Sequence, residues 1–246
     1  MNNKHFLVLD TEFFYIKKPD FSGFLVTDFS FVVVNEKNEI VEKHGYLVKD
    51  IIKPFKRVLN HEFKHCTNFY LKNKRIYQNS INYQLKTFRQ ILKIYKDTCK
   101  KYGIQAGFAY NASADFNAIL STAKYLKVNT KFNPFEKKVI SKKVCKTNTK
   151  ITYEYNIFDL YPTAKNLLKS DSDYISWVKK HGFLTAKNNI KMSAESVFSY
   201  IYKKADYVEI HTGLNDAMDE SKICMFLLDK GFTFTPKQVV KYEKIK

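Results

Sequence analysis

Five side chains, dealt out in a fixed order along the chain, carry the chemistry that this sequence can perform. Asp10 and Glu12 stand in FLVLDTEFF near the start, Asp115 in AYNASADFNAI near the middle, and His211 and Asp216 in HTGLNDAMDES near the end. Carboxylates in that number suit a pair of hard divalent cations, which prefer oxygen ligands. An imidazole beside them, with an unperturbed pKa of about 6.5, takes a proton from an attacking water at neutral pH. Brought together, these are the parts of two-metal phosphodiester hydrolysis.

Each cluster alone has an ordinary reading. Side chains alternate across a strand, so Asp10 and Glu12 at i and i+2 project from one face and can share a metal. An acid that directly follows FLVL also resists burial unless it is paired. The ordinary reading makes Asp10 a strand-end cap and Glu12 a solvated residue. Asn111 and Asp115 bracket a strand-to-helix junction, where an Asp in the first turn is favoured by the helix dipole whether or not it binds metal. HTGLND is the most specific element. Asp216 opens a helix, and His211, five residues earlier in the preceding loop, can swing its ring over the site.

The elements that must position these residues are legible in outline. HFLVLD at 5–10 is almost continuously apolar, as a strand buried on both faces would be. FSFVVVN at 29–35 and IVEKHGYLV at 40–48 are joined by a polar turn, giving an antiparallel three-stranded meander. Residues 49–80 are basic and irregular, with short helices expected around 54–70. An amphipathic helix is predicted over 82–101, with Leu85, Phe88, Ile91, Leu92 and Tyr95 on its apolar face. GFAYN at 107–111 reads as a fourth strand, followed by the helix DFNAILSTAKYL. Residues 128–150 are lysine-rich, and 136–158 reads as a basic hairpin ending in a core strand. Beyond Pro162 the chain is mainly helical, and the last helix, 216–229, shows a small-residue face of Ala217, Ser221, Cys224 and Leu228 before Gly231 stops it. This order predicts one α/β domain over 1–246, a mixed five-stranded central sheet flanked by helices, with basic insertions at 49–80 and 128–150.

Composition narrows the class. The chain has 246 residues and is 45% hydrophobic, enough for a sizeable core and too apolar for a disordered protein. The N-terminus enters a strand pattern at once, which leaves no room for a signal peptide, and no apolar run approaches the roughly 18 residues of a membrane span. A cytoplasmic protein with no membrane partner is expected. Cys66, Cys99, Cys145 and Cys224 are scattered without a C-x-x-C pair, so reduced thiols are expected and zinc is not. The formal net charge is +18, which suits a polyanionic partner. Only three of the 42 basic residues are arginine, so part of that charge reflects the lysine-rich usage of an AT-rich genome.

The three segments resemble the sequence motifs of the DEDDh class of 3′→5′ exonucleases, the superfamily of polymerase proofreading subunits, RNase T and oligoribonuclease. Asp10-Thr11-Glu12 matches the first motif, Asp115 with the preceding Asn111 the second, and His211 through Asp216 the H-x-x-x-x-D of the third. Ala114 departs from the pattern, standing where a Phe commonly precedes the middle Asp. The resemblance implies an RNase H-like fold and a pair of Mg²⁺ or Mn²⁺ ions held by Asp10, Glu12, Asp115 and Asp216. It also implies His211 as general base. Thr11, Phe13 and Asn111 would contact the substrate, the 3′ end of single-stranded DNA or RNA or a short oligonucleotide, and a homodimer is an assembly the class allows. Other readings stay open: an RNase H-like endonuclease using carboxylates alone, a nucleic-acid or partner-binding module without hydrolysis, and a phosphodiesterase of small signalling nucleotides.

Overall fold

The computed structural model describes residues 5–61, 68–104, 107–128, 136–145, 148–232 and 236–244. The apolar run at the start forms β1 (His5–Lys18), which turns back at once as β2 (Phe21–Asn35) and continues into β3 (Ile40–Val48). The three strands form the expected antiparallel meander. Leu7 and Leu9 face one core and Val8 the other, the alternation a strand requires. In β2, residues 25–34 are buried without a break, because helices cover both faces of the sheet at this strand.

Four short helices follow, α1 (Lys49–Ile52), α2 (Lys56–Leu59), α3 (Phe69–Lys72) and α4 (Lys74–Asn79), and then β4 (Tyr83–Lys86), which pairs with β3 in parallel. The helix predicted over 82–101 therefore begins later, as α5 (Phe88–Lys101). Thr87 and Gln90 form a capping box there, each side chain accepting the other's backbone N–H, and this fixes the start. Leu85, expected on the helix's apolar face, lies in β4 and is 48% exposed.

The rest of the chain alternates strands and helices: β5 (Gly107–Ala109), α6 (Ala112–Tyr125), β6 (Glu136–Cys145), β7 (Asn148–Asp159), α7 (Leu160–Leu168), α8 (Ser172–Lys180), α9 (Ala194–Tyr202), α10 (Gly213–Asp229) and β8 (Pro236–Lys244). The sheet order is β4-β3-β2-β1-β5-β7-β6, with β8 also on β7. β5 is parallel to both β1 and β7, so the sheet is mixed. Among the described residues the five expected strands are all present, and β4, β6 and β8 extend them to eight. The expected basic hairpin is the β6–β7 pair.

One face of the sheet packs against α1, α2, α5 and α6 through residues such as Ile51, Leu59, Phe88, Ile91 and Phe116. The other packs against α7 to α10 through Leu160, Tyr174, Val197 and Ile223. Each such side chain, fully buried, stabilises by about 1.5–3 kcal/mol before entropy is counted. On α10 the small face is as expected: Ala217, Ser221 and Cys224 are fully buried, which lets the helix lie close to β1 and β2. Cys99 and Cys224 are free thiols, whereas Cys66 lies outside the described residues. Among the described residues no helix is long and apolar enough to cross a membrane.

Candidate active-site cleft

The cleft exists because β1 outruns its neighbour. β5 pairs with β1 only at Leu7 and Val8 and ends at Ala109, whereas β1 continues to Lys18. Asp10 and Glu12 thus lie mid-strand, past the end of β5, and the reading of Asp10 as a strand-end cap does not apply. The cleft beyond has a volume of about 990 Å³ and is lined by all of the expected site residues: Asp10, Thr11, Glu12, Phe13, Asn111, Asp115, His211 and Asp216.

Three elements deliver the acids. β1 presents Asp10 and Glu12. The first turn of α6 presents Asp115, and its carboxylate accepts both the backbone N–H and the hydroxyl of Thr11, each at 2.8 Å. Thr11 is 4% exposed and its hydroxyl is engaged in holding Asp115. Asn111 caps α6 with left-handed backbone (φ 61°), which Asn tolerates better than most residues, and its exposed side chain makes no capping bond. The first turn of α10 presents Asp216.

Glu12, His211 and Asp216 place ligand atoms within 4.8 Å of one another. Burial, then the Asp115 charge, lifts the Asp10 carboxyl well above the usual carboxylate range. Burial, then Asp216, does the same to Glu12. Asp216 is pushed up to about 9 by burial, then by Glu209 and Asp219. Burial raises Asp115 to about 6, against the pull of the Thr11 bonds. Such a set of carboxylates gains from a cation that neutralises it. Asp216 Oδ1 is buried and makes no hydrogen bond among the described residues, as expected of an atom reserved for a ligand. The oxygen-rich donor set fits hard divalent cations and not zinc.

His211 is held with unusual care. Its backbone is left-handed (φ 59°), a conformation that costs a non-glycine residue about 1–2 kcal/mol. Asn73, between α3 and α4, donates from Nδ2 to the carbonyls of Ile210 (3.0 Å) and His211 (2.5 Å). The ring lies 4.3 Å from that of Phe69, centroid to centroid. Burial, then the nearby Lys72, lowers its pKa, so the imidazole is neutral at pH 7 and able to accept a proton. Within 49–80, whose role the sequence left unassigned, α3 and the Asn73 junction to α4 are thus the brace for this histidine.

Three further acids belong to the arrangement and were missed in the sequence. Asp28 on β2 is fully buried and accepts the N–H of Gly213 (3.0 Å) and the hydroxyl of Ser30 (2.6 Å), which fastens the start of α10 to the sheet. A Cβ on Gly213 would lie 2.9 Å from Asp28 Oδ1 and 3.1 Å from the carbonyl of Asp10, so only glycine permits this approach. Glu220 lines the cleft one turn beyond Asp216 and accepts the N–H of Tyr110 at 3.0 Å, tying α10 to the end of β5. Its i+4 spacing from Asp216 was a readable signal. So was Asp28, an acid inside an apolar run like that around Asp10. Glu209, 3.7 Å from His211 Nδ1, carried no such signal.

No family model and no curated protein matches the sequence. Solved structures do. The chain resembles a 3′-exonuclease solved for 3′-end-specific recognition of a histone mRNA stem-loop, at 13% identity and a TM-score of 0.50, over 99% of this chain and 71% of that one. It also resembles cell-death related nuclease 4, at 16% identity and a TM-score of 0.54, over 96% of this chain and 67% of that one. These likenesses establish the expected RNase H-like α/β fold.

Proposed function

We propose that the protein is a metal-dependent 3′→5′ exonuclease that hydrolyses single-stranded DNA or RNA, or short oligonucleotides. One observation carries the reading. Four carboxylates and a neutral histidine, from three distant parts of the chain, line a single cleft. Among them is the buried oxygen of Asp216 that lacks a partner among the described residues. That two solved structures of the same fold are a 3′-exonuclease and a nuclease supports it.

Asp10, Glu12, Asp115 and Asp216 would hold two Mg²⁺ or Mn²⁺ ions. The ions would make the attacking water more acidic and offset charge on the departing 3′ oxygen. Thr11 keeps Asp115 ionised and aimed. His211 Nε2 or Nδ1 takes the proton of the attacking water, its ring oriented by Phe69 and its loop by Asn73. Phe13, partly buried at the cleft wall, offers a face to the terminal base, and Asn111, exposed on the cleft lining, offers its side-chain amide.

The test is an end-labelled single strand, DNA and RNA in parallel, incubated with Mg²⁺ or Mn²⁺ and resolved at single-nucleotide steps. A ladder that shortens from the 3′ end, and vanishes in EDTA, is expected. Cleavage of a circular single strand would replace this reading with an endonuclease, and activity that survives thorough chelation would sink the metal-dependent mechanism.

A further inference from the structure

Beyond the carboxylates, β1 and β2 continue as a two-stranded arm, and its side chains do not keep the alternation set earlier in the strand. Leu7 and Leu9 share a core with Phe14 and Ile16, so the strand changes which parity faces inward between positions 9 and 14. The pairing shows where. Glu12 stands opposite Asp28 but Phe13 opposite Val26, which leaves Thr27 as the extra residue of a bulge, its hydroxyl donating to the carbonyl of Glu12. A bulge re-aims the side chains that follow it. Asp10 and Glu12 before this irregularity and Phe13 and Tyr15 after it all line the cleft.

Phe24, the partner of Tyr15 across the arm, completes a row of three rings. Phe13 and Phe24 have centroids 5.2 Å apart, and Phe24 and Tyr15 5.4 Å, both edge to face. Phe13 is partly buried, whereas Phe24 is 41% and Tyr15 52% exposed, so the row runs from the acids out to solvent. The Tyr15 hydroxyl is hydrogen-bonded to Ser22 Oγ at 2.5 Å, which holds the ring in place. Lys17, next on the same side of β1, is exposed.

We propose that Phe24 and Tyr15 form a base-stacking platform for the nucleotides of a single strand that adjoin the terminal one, with Lys17 facing their phosphates. The proposal rests on the exonuclease reading and extends it from the scissile bond to the strand behind it. Three observations select a nucleic acid as the occupant: the row is continuous with the carboxylate cleft, a lysine closes it, and the chain carries a net charge of +18. Aromatic faces accept any base, so the platform would confer grip without sequence preference.

The experiment uses oligothymidylates of two, four and ten nucleotides with the full chain. It measures kcat/KM in Mn²⁺ and, independently of turnover, the Kd of a 5′-fluorescein ten-mer by anisotropy. Phe24→Ala and Tyr15→Ala should each weaken ten-mer binding by about tenfold, the order expected for loss of one stacked base. Their loss in kcat/KM should be greater for ten nucleotides than for two. Tyr15→Phe keeps the ring and should restore binding. If the wild-type protein binds the ten-mer through these rings but cuts no length, the exonuclease reading fails and the platform stands. Wild-type hydrolysis with unchanged ten-mer affinity in both alanine variants would overturn the platform. So would equal losses at every length, or a change in self-association without a change in strand affinity.

Discussion

The histidine at 211 has to be neutral, correctly aimed and free to take a proton. Its lowered pKa supplies the first condition, and Phe69 and Asn73 the second. His211→Ala should therefore reduce kcat by about 10²–10⁴-fold. The wild-type rate should fall on the acid side with a midpoint below the ordinary value of 6.5, and the variant should lack that limb. A variant that keeps both rate and profile would return the chemistry to the carboxylates alone. Asp10→Asn removes a charge without changing volume and should abolish hydrolysis. In the absence of metal its thermal midpoint should be unchanged or raised, because burial and the charges of Asp115, Glu220 and Asp216 already oppose ionisation there. At this scale the sequence was most informative where chemistry demands a particular side chain at a particular spacing, as with Asp10, Glu12 and His211. It was silent on Asn73 and Glu209, whose parts depend on loops brought near only by folding.

At the scale of elements, the start of α10 is the joint on which the site depends. Asp28 receives the Gly213 N–H, and Tyr83 receives that of Leu214, so β2 and β4 together satisfy the first turn of the helix. Gly213→Ala pushes a methyl against Asp28 and the Asp10 carbonyl. It should cost about 1–3 kcal/mol of stability, as overpacking does, with a lowered denaturant midpoint. Activity measured well below the melting temperature should drop as well, because the displaced helix carries Asp216. Unchanged activity would mean that the joint tolerates movement. The strands of the meander were readable because their apolar runs are long and bounded by turns. The boundary at Phe88 was readable too, from the T-x-x-Q of a capping box, but the helical period of the residues before it masked that signal. β8 offered only a short alternation in a lysine-rich tail, and its pairing with β7 is a contact across some 80 residues of chain that no local pattern encodes.

For the molecule as a whole, the buried acids make stability depend on pH in a definite direction. Asp216 titrates at about 9, Glu209 at about 7, and Asp115 and Asp28 at about 6, all above their ordinary values because burial opposes the charge. Below about pH 3 these groups are protonated in folded and unfolded chains alike. As pH rises the unfolded chain ionises first, so the stability they confer is lost up to and through the folded values. The metal-free protein should melt progressively lower between about pH 5 and pH 9, and Asp216→Asn should close part of the gap to a degree that grows with pH. A difference of 1 kcal/mol corresponds to about 2–4 °C in a chain of this size. Saturating Mg²⁺ should flatten the profile by supplying the missing counter-charge. A melting curve indifferent to both pH and Mg²⁺ would mean that the acids are relaxed by solvent.

The same charges give the molecule two opposed electrostatic territories, an acidic slot inside a basic body, and this imposes an order on events. A strand is drawn to the lysines at any metal concentration, yet its end finds no counter-charge at the slot until cations have entered. At low ionic strength the body would hoard strands in unreactive attachments, and moderate salt would release them to be turned over. Rate plotted against salt should thus rise before it falls, and mixing metal with the protein ahead of the strand should shorten any lag.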